Sequence, residues 1–161
     1  MNPDPFIGTG VGVTDVGAPS TFSFGFFLPI VPTVGPQTLT LAISENCTEG
    51  KAGSGCSITP STLAPFTVSA TLDGTPFLFN GGGLVCAGAT CGVSFLTATA
   101  TGLVGPFSVL DMHLEFKGSG GGASYGFSLR TEVTPVPEPS SYALLLAGLG
   151  AVGFIARRKK S

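Results

Sequence analysis

The feature that most restricts this chain is its punctuation. Twenty-five Gly and thirteen Pro are spread through 161 residues, and Phe, Val and Thr fall in short runs between them, as in an all-β domain. Within the runs, apolar and polar residues alternate. Ser20–Pro29, "STFSFGFFLP", puts Phe22, Phe24 and Phe26 on one face and Ser23 and Gly25 on the other. Gln37–Ser44 does the same with Leu39, Leu41 and Ile43 against Thr38, Thr40 and Ala42. A period of two is that of a half-buried strand.

Turn signals separate the runs. Asp73-Gly74, between "PFTVSATL" and "TPFLFN", marks a hairpin, because both central residues of a type I′ turn need positive φ. "GLVC" and "CGVSFLTATATGL" read as the next hairpin. "PFSVLDMHLEFKG" and "ASYGFSLRTEV" follow, joined by "SGGG", which reads as a flexible connection. The pattern predicts an antiparallel β-sandwich of about eight strands over residues 20–134. Residues 1–19 read as a loose N-terminal segment. No amphipathic helix is expected before residue 140.

Charge narrows the partners. Only 10% of residues are charged, against roughly 25% in typical soluble proteins, yet thirteen Phe supply a core and argue against disorder. Residues 1–156 hold all nine acids against Lys51, Lys117 and Arg130, a net charge of −6. Arg157, Arg158, Lys159 and Lys160 bring the total to −2. An acidic body without a basic patch argues against nucleic acid as a partner.

The four cysteines form two close pairs, C-x8-C at Cys47 and Cys56 and C-x4-C at Cys86 and Cys91. Zinc sites usually carry tighter pairs, whereas disulfides suit an exported domain. Of three possible connectivities, the local one is expected: Cys47–Cys56 closing a polar loop, and Cys86–Cys91 clamping a hairpin. Short loops of this kind are worth roughly 2–3 kcal/mol each. The opening "MNPDPFIGTGVGV" lacks the basic, apolar and small-residue regions of an export leader. Three explanations stand: a start placed too late, a leader already removed, or a cytoplasmic chain, which leaves the C-terminal run unexplained.

Other motifs have plain readings. Asp111, His113, Glu115 and Lys117 share one strand face. Such a row could bind a cation or seat a general base, but it also describes a solvated outer face with compensating charges, the preferred reading. No G-x-S-x-G elbow singles out a nucleophilic serine. Gly148–Gly153 spells G-x-G-x-x-G too near the end of the chain for a dinucleotide fold. Its glycines suit close helix packing instead. Asn46-Cys47-Thr48 fits a glycosylation sequon only formally, with Cys at its centre.

The ending is distinctive. Tyr142–Ala156 carries no charge and is bounded by Pro137, Glu138 and Pro139 before it and the four cations after it. It predicts a single C-terminal transmembrane helix, capped by Ser140 or Ser141, with prolines holding an extended stretch ahead. The cations keep the cytoplasmic side, which puts the β domain across the membrane. "VPEPSS", an apolar helix and "RRKK", within residues 136–161 of a C-terminal segment that starts at 135, resemble the PEP-CTERM sorting signal of Gram-negative bacteria. The resemblance implies recognition by an exosortase, a membrane-embedded cysteine transpeptidase-like enzyme, with Pro137, Glu138 and Pro139 as its motif. It also implies export, a transient stay in the inner membrane, and processing to the cell surface or beyond, often with exopolysaccharide, biofilm or floc. The expected function is a non-enzymatic surface or matrix protein without a cofactor or metal. The alternatives are a secreted carbohydrate-binding module, which the absence of Trp disfavours, and a secreted hydrolase.

Overall fold

A computed structural model describes residues 5–32, 35–63, 65–136 and 139–158. Within them the chain forms ten strands and one helix, in the order β1 (Phe6–Asp15), β2 (Thr21–Pro29), β3 (Pro36–Thr48), β4 (Cys56–Pro60), β5 (Val68–Leu72), β6 (Thr75–Asn80), β7 (Leu84–Cys86), β8 (Thr90–Val104), β9 (Val109–Gly118), β10 (Ala123–Pro135) and α1 (Pro139–Arg158). The first sheet runs β1-β10-β3-β8 and the second β6-β5-β9-β4-β7, with β2 along the other side of β9. Every strand pairing is antiparallel.

Alternation builds the core between the two sheets. On β3, Leu39, Leu41 and Ile43 are fully buried and the intervening Thr38, Thr40 and Ala42 only partly so. Opposite them, β9 contributes Leu110, Met112, Leu114 and Phe116, all fully buried. Phe116 joins the layers: its ring centroid lies 4.6 Å from that of Phe127 and 5.5 Å from that of Tyr125, both on β10. The β5–β6 hairpin forms at Asp73 and Gly74, with φ of 49° and 77°, as a type I′ turn demands.

Four expectations need correction. β1 lies inside the segment read as loose and pairs with β10 along its whole length. Gly8, Gly10 and Gly12 occupy its exposed face while Ile7, Val11 and Val13 pack on the core. β4 is the second strand missed: five residues held by β9 and β7. β7 and β8 are not a hairpin, since β7 pairs with β4 in one sheet and β8 with β3 in the other. Finally, Gly120, Gly121 and Gly122 are a fitted crossing, not a flexible one. All three have positive φ, and Gly121 N and Gly122 N donate to the carbonyls of Gly17 and Asp15 at 2.9 and 2.7 Å. A Cβ on Gly120 would meet the Gly17 carbonyl oxygen at 2.5 Å.

Candidate functional site

Three places hold the chemistry of this chain: a sulfur cluster, the outer face of β9, and the C-terminal segment. The sulfur cluster ties the sheets. Cys47–Cys56 and Cys86–Cys91 are the bridges, with Cα–Cα distances of 6.2 and 5.9 Å. Register explains the arrangement: Cys47 faces Cys91 across β3 and β8, while Cys56 faces Cys86 across β4 and β7. Each bridge therefore joins one sheet to the other, and the hairpin clamp expected for Cys86–Cys91 is replaced by an inter-sheet staple. The sulfurs of Cys47, Cys86 and Cys91 lie within 4.8 Å of one another. Reduced, they could hold a soft metal; as disulfides they offer no thiolate.

Asp111, His113, Glu115 and Lys117 do share the outer face of β9. The face is not uniformly solvated. Glu115 is buried, and its Oε1 accepts the backbone N–H of Thr62 at 3.0 Å. That bond, with hydroxyls from the same loop, holds its carboxyl below the usual range. Ser69, which pairs with His113 from β5, is buried too.

Beyond this covered part the face opens into a groove of about 320 Å³ over Gly25, Phe27, Thr71, Asp111 and His113. Phe27 stands 75% exposed directly opposite Asp111 in the β2–β9 register. Asp111 Oδ2 accepts from Thr71 Oγ1 at 3.2 Å. Gly25 lies opposite His113, and no atom comes within 4 Å of where its Cβ would be.

Ser23 Oγ and His113 Nε2 are 2.9 Å apart, a distance found in serine nucleophile–base pairs. A triad would need a carboxylate on the imidazole. Asp111 is turned to Thr71 and Glu115 to Thr62, and among the described residues neither is hydrogen-bonded to His113.

Phe27 is the residue that sequence reasoning missed. In "GFFLP" three consecutive apolar residues hide the alternation. The parity of Ser23 and Gly25 was the usable signal, since it carries Phe27 to the same outer face.

At the C-terminus, α1 forms where the apolar run predicts it. Pro139 opens the helix rather than preceding it, so neither Ser140 nor Ser141 is the cap. A proline is accepted at the first helical position, where its missing N–H has no intrahelical partner to lose. Arg157 and Arg158 fall in the last turn of α1; Pro137, Glu138, Lys159 and Lys160 lie outside the described residues. Among the described residues no helix is long and apolar enough to cross a membrane.

A comparison with curated proteins finds no match. Among solved structures, a Family 16 Carbohydrate Binding Module-2 is similar over 74% of this chain and 71% of its own, at 15% identity and a TM-score of 0.36. Dimeric latent PorU from Porphyromonas gingivalis is similar over 79% of this chain, at 13% identity and a TM-score of 0.35, and the chain spans 13% of that protein. Neither likeness is close enough to speak for what this chain binds. The C-terminal segment is different: residues 135–160 match the PEP-CTERM protein-sorting motif, and the chain ends in that motif.

Proposed function

We propose that this chain is a non-enzymatic surface or extracellular-matrix protein, exported by a Gram-negative bacterium and processed by an exosortase. The observation that carries the reading is the sorting motif at residues 135–160. Within it, Pro137, Glu138 and Pro139 are the recognition motif. The helix that follows lodges in the inner membrane until processing, with Arg157, Arg158, Lys159 and Lys160 on the cytoplasmic side. Their long side chains reach the interface and extend the span of a short helix. Four cysteines paired in two disulfides suit the oxidising side of that membrane. After release, exopolysaccharide is the partner in view, and the acidic body keeps nucleic acid out.

The test compares an exosortase-bearing host with its knockout by intact mass and membrane fractionation. Wild type loses Arg157–Lys160 only in the first host. Changing Pro137, Glu138 and Pro139 together to Ala leaves insertion intact but blocks processing, so the full chain accumulates in the inner membrane. Equal retention of the basic end in both hosts overturns the sorting reading. A second reading, a secreted carbohydrate-binding module, is favoured by one observation: the exposed Phe27 ring beside the Asp111 carboxylate on an open groove.

A further inference from the structure

We propose that the groove over β2, β9 and β5 binds a neutral, hydroxyl-rich polysaccharide segment, with Phe27 as the stacking platform and Asp111 as the principal acceptor. The inference rests on the carbohydrate-binding reading and gives it residues and a ligand class. It starts from what the groove offers. Phe27 presents an exposed phenyl face, and burying such a face is favourable only against apolar surface. Beside it, Asp111 is half-buried and spends one lone pair on Thr71. A carboxylate has about four such sites and donates nothing, so its ligand must bring donors. A ring with apolar C–H faces and a hydroxyl rim meets both demands at once.

Charge selects against other occupants. Among the residues lining the groove there is no lysine or arginine, and an anionic ligand would face the Asp111 carboxylate with only the His113 imidazole to offset it. Lys117 is the cation on this strand face, and it pairs with Thr21, remote from Phe27 in the register. A divalent cation would need about six oxygen ligands, and Asp111 is the one carboxylate in the lining.

The same sheet face also carries an aromatic pair. Phe79, Ser69, His113 and Gly25 lie side by side on adjacent strands β6, β5, β9 and β2. Phe79 stacks on Phe66, centroids 5.7 Å apart, and both rings are partly exposed. At about 4.8 Å between strands, the aromatic pair stands roughly 14 Å from the Gly25 end of the row. Ser69, between the two aromatic ends, is buried, so the open stretch offered to a polysaccharide segment is the one over Phe27, Asp111 and Thr71.

The experiment is affinity electrophoresis of the full-length chain through soluble β-glucan, xylan, mannan and dextran, with an anionic uronate polymer alongside. Wild type is retarded by at least one neutral polymer, and added salt leaves the retardation unchanged, because no ion pair holds the ligand. Phe27→Ala weakens binding about tenfold. Asp111→Asn weakens it to a similar extent. Gly25→Leu puts a side chain into the groove, and its Cβ meets no atom within 4 Å. Phe27 and Gly25 are both exposed, so near-UV circular dichroism should match wild type for these two variants, and either one alone keeps the test decisive. If wild type binds a neutral polymer and Phe27→Ala and Gly25→Leu bind it equally well, the groove is not the site although the carbohydrate-binding reading survives. If wild type is retarded by no polysaccharide, or only by the uronate polymer, both fail.

Discussion

Cys47 Sγ lies 3.4 Å from Cys86 Sγ, so the two disulfides of the domain touch each other inside the core. A thiolate released from one bridge is already beside the other, the geometry that thiol–disulfide exchange requires. The strand register supplies the second pairing: Cys47 opposite Cys91 and Cys56 opposite Cys86, each within one sheet. Antiparallel neighbours stand at Cα separations that a disulfide accepts.

Cys56→Ala is therefore expected to rearrange. The freed Cys47 thiol attacks Cys86 or Cys91, and peptide mapping of the oxidised variant should show Cys47 bonded to one of them in part of the population. A sole Cys86–Cys91 bridge with Cys47 quantitatively free would count against the exchange. Removing all four cysteines should lower stability by about 2–5 kcal/mol for each bridge lost, read by denaturant unfolding of the oxidised proteins.

Stability should also vary with pH in two opposed directions. Glu45 is buried beside Thr67, whose hydroxyl donates to its Oε1, and burial raises its pKa above the ordinary 4.5. The folded state favours its protonated form, so this contribution is complete below about pH 4.5 and is lost as pH rises through the raised value. Asp73 and Glu115 act the other way. Hydrogen bonds from Ser108 and Thr62 respectively lower their pKa values, so their contributions are present above the ordinary 3.8 and 4.5 and are lost as pH falls through the lowered ones. Unfolding free energy against pH should fall on both sides, and Glu45→Gln should flatten only the alkaline side. An alkaline limb unchanged in that variant would show that another group controls it.

The turn at Asp73-Gly74 does two jobs that mutation can separate. Asp73 accepts hydrogen bonds from Ser108 N, Ser108 Oγ and Val109 N, at 3.0, 2.8 and 2.8 Å, which ties the hairpin to the start of β9. Gly74 makes no such contact, and a Cβ there would meet nothing within 4 Å. Its substitution by Ala should cost about 1 kcal/mol from positive φ alone, with the acid limb of the pH profile intact. Asp73→Ala should lower the melting temperature and shrink the acid limb as well. Identical profiles for the two variants would refute the clamp.

Truncation after Val136 should leave a folded domain. The core lies between the two sheets, and among the described residues none of it comes from α1. Near-UV circular dichroism and cooperative unfolding should match those of the full chain. A molten signal, with secondary structure kept and near-UV signal lost, would place the helix in the core.

Some of this was legible because single residues decide it. Asp73-Gly74 needs positive φ, Leu39, Leu41 and Ile43 must share a face, and Pro137-Glu138-Pro139 before an apolar run has few other uses. What stayed hidden depends on partners distant in sequence. Gly8, Gly10 and Gly12 look like a loop until β10 hydrogen-bonds alongside them and leaves their empty face to solvent. Cys86 and Cys91 are five residues apart, which resembles a hairpin, yet the chain between them changes sheets. The covering of Glu115 comes from Thr62, on a loop with no periodicity to betray it. The groove went unseen because Phe26, Phe27 and Leu28 are consecutive apolar residues that hide which face Phe27 takes.

The position of β10 has a mechanical consequence. It is an interior strand, paired with β1 on one side and β3 on the other, and the Val136 N–H donates to Pro36 O at 2.9 Å just beyond its last residue. The C-terminal segment follows directly on this strand in the sequence. Tension along the chain would load both ladders in shear, and many hydrogen bonds would have to yield together instead of unzipping one by one. A domain held by its C-terminus in this way would carry drag from flow or from an attached polymer through its best-secured strand, while either edge of that sheet could fray without releasing the tether.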